Sequence, residues 1–210
     1  HPMAYRKSDT VIKPQYVIER ISALTKGQAV ICTEVGQNQM WAAQYYQFQY
    51  PRQLITSGGL GTMGYGFPAA NGVKLGLPEK EVWDIAGDGS IMMNIQELAT
   101  AVNEGIAVKI AVLNNGVLGM VRQWQELFCD KRYSGTILHR KQDLVAIAKG
   151  FGAHAIRVED PSKVDEAILE AQSINDRPVL IDFIVDPDEN VFPMVPAGGS
   201  NRDMISPETD

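Results

Sequence analysis

Six short apolar runs constrain this chain more than any other feature: "AVICTEVG" (29–36), "RQLITS" (52–57), "EVWDIAGDGS" (81–90), "VKIAVLNNG" (108–116), "AHAIRV" (153–158) and "PVLIDFIVD" (178–186). Stretches of helical periodicity precede or separate them, at 14–25, 39–46, 65–76, 91–105, near 118–128, near 141–150 and 161–174. In the first, Val17, Ile18, Ile21 and Leu24 share one face; the fourth ends at Gly105 and the last begins at Pro161. Strands that are apolar throughout and alternate with helices predict an α/β fold: a doubly wound, mainly parallel sheet with helices on both faces. Residues 1–13 are expected as an extended lead-in, 14–190 as one α/β domain and 191–210 as a tail with short ordered pieces. The opening "HPMAYRKSDT" has no initiator Met and reads as a cut within a longer protein.

Sheets of this kind bind ligands beyond the carboxyl ends of their strands, where the chain order switches direction. Three strand ends here carry unusual chemistry: "EVGQN" (34–38), "AGDGS" (86–90) and "LNNG" (113–116). Asp88 sits between Gly87 and Gly89, and Ser90 begins a helix whose amides would favour an anion. A carboxylate beside an anion is repelled unless a cation lies between them, which points to Mg²⁺ bridging to phosphate oxygens. The next strand ends in Asn114 and Asn115, and an amide oxygen is a suitable second hard ligand. The 24 residues from 90 to 113 suffice for a helix, a turn and a strand, returning the chain beside Asp88. Either element alone is common in turns; the pair at this spacing is far more specific.

A second glycine cluster, "SGGLGTMGYGFP" (57–68), contains G-x-G-x-x-G from Gly59 to Gly64, with Asp84 twenty positions further on. That is the dinucleotide fingerprint, and an NAD- or FAD-linked oxidoreductase is one reading of it. Against it, a dinucleotide fold places its fingerprint after the first strand, whereas a complete strand–helix unit precedes this one. Asp84 also falls inside a strand, where it needs a buried partner or an edge location.

Composition narrows the classes further. A formal net charge of -6 argues against a nucleic-acid or anionic-membrane partner. Cys32 and Cys129 lack metal-ligand spacing, and the absence of a signal peptide or long apolar run suggests a reducing interior compartment. His1, His139 and His154 are scattered, so they are expected as surface or loop residues rather than a metal site or a Ser/His triad.

GDG followed about two dozen residues later by NN is the signature of thiamine-diphosphate enzymes. Together with "EVGQNQMWAAQ", "SGGLGTMGYGFPAA", "GDGSIMMNIQELATA", "VKIAVLNNGVLGMVRQWQ" and "LIDFIVDPDENVFPMVPAGG", it resembles the C-terminal domain of the acetolactate (acetohydroxyacid) synthase catalytic subunit, from about residue 14 to residue 200. The resemblance implies thiamine diphosphate and Mg²⁺ as cofactors, with the metal on Asp88, Asn115 and the Val117 carbonyl. It implies diphosphate contacts from Gly36, Gln37, Asn38, Gly89 and Ser90, with Gly119 and Met120 also at the cofactor. Asn38 departs from the pattern, which has His there. Met63 would prop the cofactor rings into a bent shape, and the Gly61 carbonyl would accept a hydrogen bond from the 4'-amino group. Periodicity alone makes Met120, Trp124 and Phe128 the buried stripe of an amphipathic helix. The resemblance instead puts Met120 and Trp124 at the mouth of the substrate pocket, leaving Phe128 in the core; Arg122 and Gln123 are expected at the solvent or the edge.

The implied reaction condenses two pyruvates, or pyruvate and 2-oxobutyrate, with loss of CO₂, in branched-chain amino-acid biosynthesis. The implied setting is a homo-oligomer with the remaining domains of the catalytic subunit, a small regulatory subunit, and FAD held mainly outside this domain. The compartment would be the cytoplasm of a bacterium or an organelle of a eukaryote. The family's catalytic glutamate belongs to a domain not seen in this sequence, so the chain alone is expected to bind cofactor without turnover. Pyruvate oxidase, glyoxylate carboligase, a 2-oxo acid decarboxylase, or a non-catalytic diphosphate-binding module remain open alternatives.

Overall fold

The computed structural model describes residues 3–138 and 142–206. His1 and His139 lie outside them. Six strands form one sheet in the order β2-β1-β3-β4-β6-β5: β1 Val30–Thr33, β2 Leu54–Thr56, β3 Val82–Gly87, β4 Lys109–Asn114, β5 His154–Val158 and β6 Val179–Ile184. Every pairing is parallel. The helices are α1 Pro14–Leu24, α2 Gln37–Tyr45, α3 Gly66–Gly76, α4 Asp88–Ile91, α5 Glu97–Asn103, α6 Gly119–Phe128, α7 Leu144–Gly150 and α8 Val164–Ser173.

Alternate residues of each strand feed two separate cores, as a sheet covered on both faces requires. Ile31, Trp83, Ile85, Ala111 and Phe183 pack with α1, α2 and α8, whereas Cys32, Val82, Ala86, Ile110 and Leu180 pack with α3, α5 and α7. The fold is therefore doubly wound. From β1 the chain steps outward to β2 and then crosses back to β3 on the other side of β1, so the topological switch lies between β1 and β3.

The flanking segments fold against this unit. Ile12 is fully buried and bridges Val185, and Lys13 pairs with Asp186 and Glu189. Val191 is fully buried, and Met194 bridges Ile205. Among the described residues, no helix is long and apolar enough to cross a membrane.

Two expectations need correction. Of the helix expected over 91–105 only α5, Glu97–Asn103, forms; α4 ends at Ile91 and residues 92–96 are turns. Within the break, Asn94 donates its side-chain amide to the Gly64 carbonyl at 2.6 Å, a tertiary bond across thirty residues. On α6 the apolar stripe faces outward, so Phe128 is 46% exposed instead of lying in the core, while Gln123 is fully buried instead of at the edge. His154 lies on edge strand β5, partly exposed, with its ring nitrogen 2.7 Å from Glu170.

Candidate cofactor site

The ends of β1, β3 and β4 stand side by side at the switch point, with Gly87 of β3 in register with Leu113 of β4. Beyond β1, Gly36 adopts φ 144, a conformation closed to side chains, and this abrupt bend starts α2. Beyond β3 the chain enters α4 directly at Asp88, which is 9% exposed. Beyond β4, Asn115 is buried and its Oδ1 accepts from the Val117 N–H at 3.1 Å.

Gln37 organises this corner. Its Nε2 donates to Gln123 Oε1 (3.0 Å) and to the Glu189 carbonyl (3.1 Å), and its Oε1 accepts from Asn115 Nδ2 (3.2 Å). Gln123 closes the network on the Val191 backbone, donating to its carbonyl and accepting from its N–H. Anchoring the nitrogen end of the Asn115 amide aims the oxygen end the other way. A Cβ on Gly119 would overlap Gln37 Oε1 and stand 2.9 Å from Asn115 Nδ2, so the start of α6 can press on this network only as glycine.

The 57–68 segment forms the opposite wall. Its turn is closed by the Gly61 N–H on the Ser57 carbonyl and the Thr62 N–H on Ser57 Oγ. Gly36, Gln37, Asn38, Gly61, Met63, Asp88, Gly89, Ser90, Asn115, Val117, Gly119 and Met120 all line one half-open cleft of about 260 Å³. Trp124 is not among the lining residues; it lies one helical turn beyond Met120, 42% exposed, with its ring 5.4 Å from that of Phe128.

The polar groups are not equally available. Ser90 Oγ is committed to Gly87, accepting from its N–H at 3.0 Å and donating to its carbonyl at 3.2 Å. Asn38 gives one N–H to the Ile85 carbonyl at 2.9 Å. Both ends of the Gln37 amide are engaged within this network. Because α4 has only four residues, the favourable potential for an anion comes from local N–H groups rather than a long helix dipole.

These residues fit a diphosphate held through a divalent cation. Asp88 and Asn115 present hard oxygen ligands from neighbouring strands, and glycines let the backbone approach closely. A Cβ on Gly89 would stand 2.8 Å from Leu118 and 3.9 Å from the Met63 methyl, so an apolar floor runs beside the polar end. Among the described residues no three His, Cys, Asp or Glu side chains cluster as a metal site. The dinucleotide reading fails on geometry: the fingerprint follows edge strand β2, and Asp84 is fully buried within β3, unable to reach a ribose.

Comparison with known proteins agrees. Residues 34–183 match the family described as thiamine pyrophosphate enzyme, C-terminal TPP binding domain. The chain belongs to this family. The chain is 54% identical over 198 residues to the acetolactate synthase large subunit of Corynebacterium glutamicum, covering 92% of this chain and 32% of that protein. It is 47% identical over 203 residues to the large subunit of Haemophilus influenzae (97% of this chain, 35% of the relative) and 48% identical over 214 residues to the chloroplastic acetolactate synthase 2 of Zea mays (97% and 33%). The chain thus spans about a third of the length of the curated relatives it matches.

Sequence reasoning missed several residues of this thiamine-diphosphate domain. Leu118 and Val35 line the cleft, and Gln123 supports it from beneath. Glu34 was also missed: it is fully buried at the end of β1, and its carboxylate accepts from the N–H groups of Gly64 (2.6 Å) and Phe67 (3.1 Å). The available signal was parity, since Glu34 shares the inward face of β1 with Cys32.

Proposed function

We propose that this chain is the cofactor-binding part of an acetolactate synthase catalytic subunit, acting on pyruvate with a second pyruvate or 2-oxobutyrate as acceptor. The observation that carries this reading is the placement of Asp88 and Asn115 at the ends of neighbouring strands β3 and β4, on one cleft walled by Met63 and Met120. Asp88, Asn115 and the Val117 carbonyl would hold Mg²⁺, which in turn neutralises the diphosphate. When bound, thiamine diphosphate supplies a carbon nucleophile that also accepts the electrons released as CO₂ leaves a 2-oxo acid.

The chain's own residues bind and orient. Gly36, Gly89 and Gly119 admit the cofactor close to the backbone, and Gln37 keeps the Asn115 oxygen turned to the metal. Met63 would support the rings and the Gly61 carbonyl would accept from the pyrimidine amino group, an orientation that would lower the barrier by proximity. Met120 lines the cleft beside Gly119, where an acceptor acid would approach, with Trp124 at the rim. Turnover would require the catalytic glutamate of a further domain from a neighbouring subunit; FAD and a small regulatory subunit would belong to the full assembly.

A thermal-shift comparison tests the cofactor assignment. Thiamine diphosphate with Mg²⁺ should raise the melting temperature in a concentration-dependent way, because a ligand of the folded state stabilises it by mass action. NAD⁺ should leave it unchanged; the reverse pattern would reject the assignment.

A further inference from the structure

Two carboxyl groups lie buried under the cofactor cleft, and the binding chemistry described above uses neither. Glu34 and Asp84 are both fully buried on the same face of neighbouring strands, beside Phe67 and Cys32. A Cβ on Gly66 would overlap Asp84 Oδ1 and stand 2.5 Å from the Glu34 nitrogen, so the first residue of α3 is packed directly onto both. Their hydrogen bonding is unequal. Glu34 accepts from the Gly64 and Phe67 amides, whereas neither Asp84 oxygen has a hydrogen-bond partner.

We infer that Glu34 is a positioning residue for the cofactor: its carboxylate, clamped on the Gly64 and Phe67 amides, fixes the 61–64 turn and with it the Gly61 carbonyl and the Met63 side chain. Met63 directly precedes one clamped residue, and Asn94 holds the carbonyl of that same Gly64, so the turn is gripped from two sides. A carboxylate that receives several backbone N–H groups is stabilised in its charged form. Asp84, with no donor, keeps its proton, and the pair carries one negative charge instead of two. Burial pushes both carboxyls above their ordinary range; the amides of Gly64, Gly66 and Phe67 draw Glu34 back, and the charge of Glu34 pushes Asp84 further up. The other titratable group facing Asp84 is the Cys32 thiol, itself raised by burial and by Asp84. Ionising Asp84 would set a second charge against Glu34 and loosen the clamp.

This inference rests on the cofactor assignment made above, and its test separates the two. Amide hydrogen exchange and binding of thiamine diphosphate with Mg²⁺ are measured on the full chain for the wild type, Glu34→Gln and Asp84→Asn. In Glu34→Gln, which replaces an acceptor by an amide, exchange at Gly64 and Phe67 should quicken by on the order of tenfold or more, and cofactor affinity should fall by a similar factor. Asp84→Asn, which mimics the neutral acid, should keep both protection and affinity. Its affinity should also stay level toward alkaline pH, where that of the wild type declines. Unchanged protection in Glu34→Gln, or lost protection with unchanged affinity, would overturn the inference. If wild type binds no thiamine diphosphate, the cofactor assignment fails on its own and the exchange data still decide whether Glu34 holds the turn. If Glu34→Gln does not fold, the pH profile of Asp84→Asn against wild type decides: parallel profiles would overturn the inference.

Discussion

Replacing Gly119 by alanine probes the hydrogen-bonded corner that holds Asn115. The added Cβ would overlap Gln37 Oε1 and stand 2.7 Å from its Cδ and 2.9 Å from Asn115 Nδ2. Carbon atoms in good contact sit about 3.5–4.0 Å apart, so the Gln37 side chain must withdraw by on the order of 1 Å. Its bonds to Gln123, the Glu189 carbonyl and Asn115, at 3.0, 3.1 and 3.2 Å, cannot all survive that shift. Each net hydrogen bond is worth about 1 kcal/mol, and stranded buried partners cost more, giving a loss of about 2–4 kcal/mol. Alanine's better helix propensity offsets at most about 1 kcal/mol, so the substitution should destabilise by about 1–3 kcal/mol. Urea denaturation reads this as a lower midpoint at unchanged slope. Affinity for thiamine diphosphate with Mg²⁺ should fall at least roughly tenfold, because Asn115 keeps only the Val117 N–H on its oxygen and loses the anchor on its nitrogen. A Gly119→Ala chain as stable as wild type, with undiminished affinity, would refute the account of this corner.

The buried acid pair should leave a signature in stability against pH. Asp84 in the folded chain keeps a proton that the unfolded chain releases near its ordinary value of 3.8, so stability falls as pH rises through that window. Asp84→Asn removes this slope, and its advantage over wild type in thermal melts should widen as pH rises above about 4; parallel curves would contradict it. The two faces of tryptophan use separate in the same way. Trp41, 1% exposed in the core, should cost about 3–5 kcal/mol on replacement by alanine, whereas half-exposed Trp124 should cost about 1 kcal/mol or less; denaturant midpoints compare them.

The parallel, doubly wound sheet is legible in the sequence because apolar strands and glycine-ended turns recur in chain order. The same logic, applied to "GDGS" and "LNNG", selects this cleft; with the residues that the family resemblance adds, twelve of the thirteen proposed site residues line it. What is not legible comes from tertiary partners. "IMMNIQELATAVNEG" has unbroken helical periodicity, yet residues 92–96 are turns, with Asn94 bonded to the distant Gly64 carbonyl. Periodicity identifies α6 as amphipathic but does not say which face meets this chain's own core. The fixed backbone of Val191 and the amide of Gln37 make Gln123 the inward residue, turning Trp124 and Phe128 outward. Asp84 is visible as a charge within a strand, yet its neighbour Glu34, a second acid, emerges only when β1 and β3 are paired.

The central claim is that Asp88 and Asn115 bind the diphosphate through a divalent cation. Calorimetric titration of thiamine diphosphate into wild type and Asp88→Ala, each with and without Mg²⁺, tests it most directly. Wild type should bind only when Mg²⁺ is present, and Asp88→Ala should lose that dependence along with on the order of a hundredfold or more in affinity, as expected when a charged metal ligand is removed. Metal-dependent binding that survives unchanged in Asp88→Ala would contradict the account.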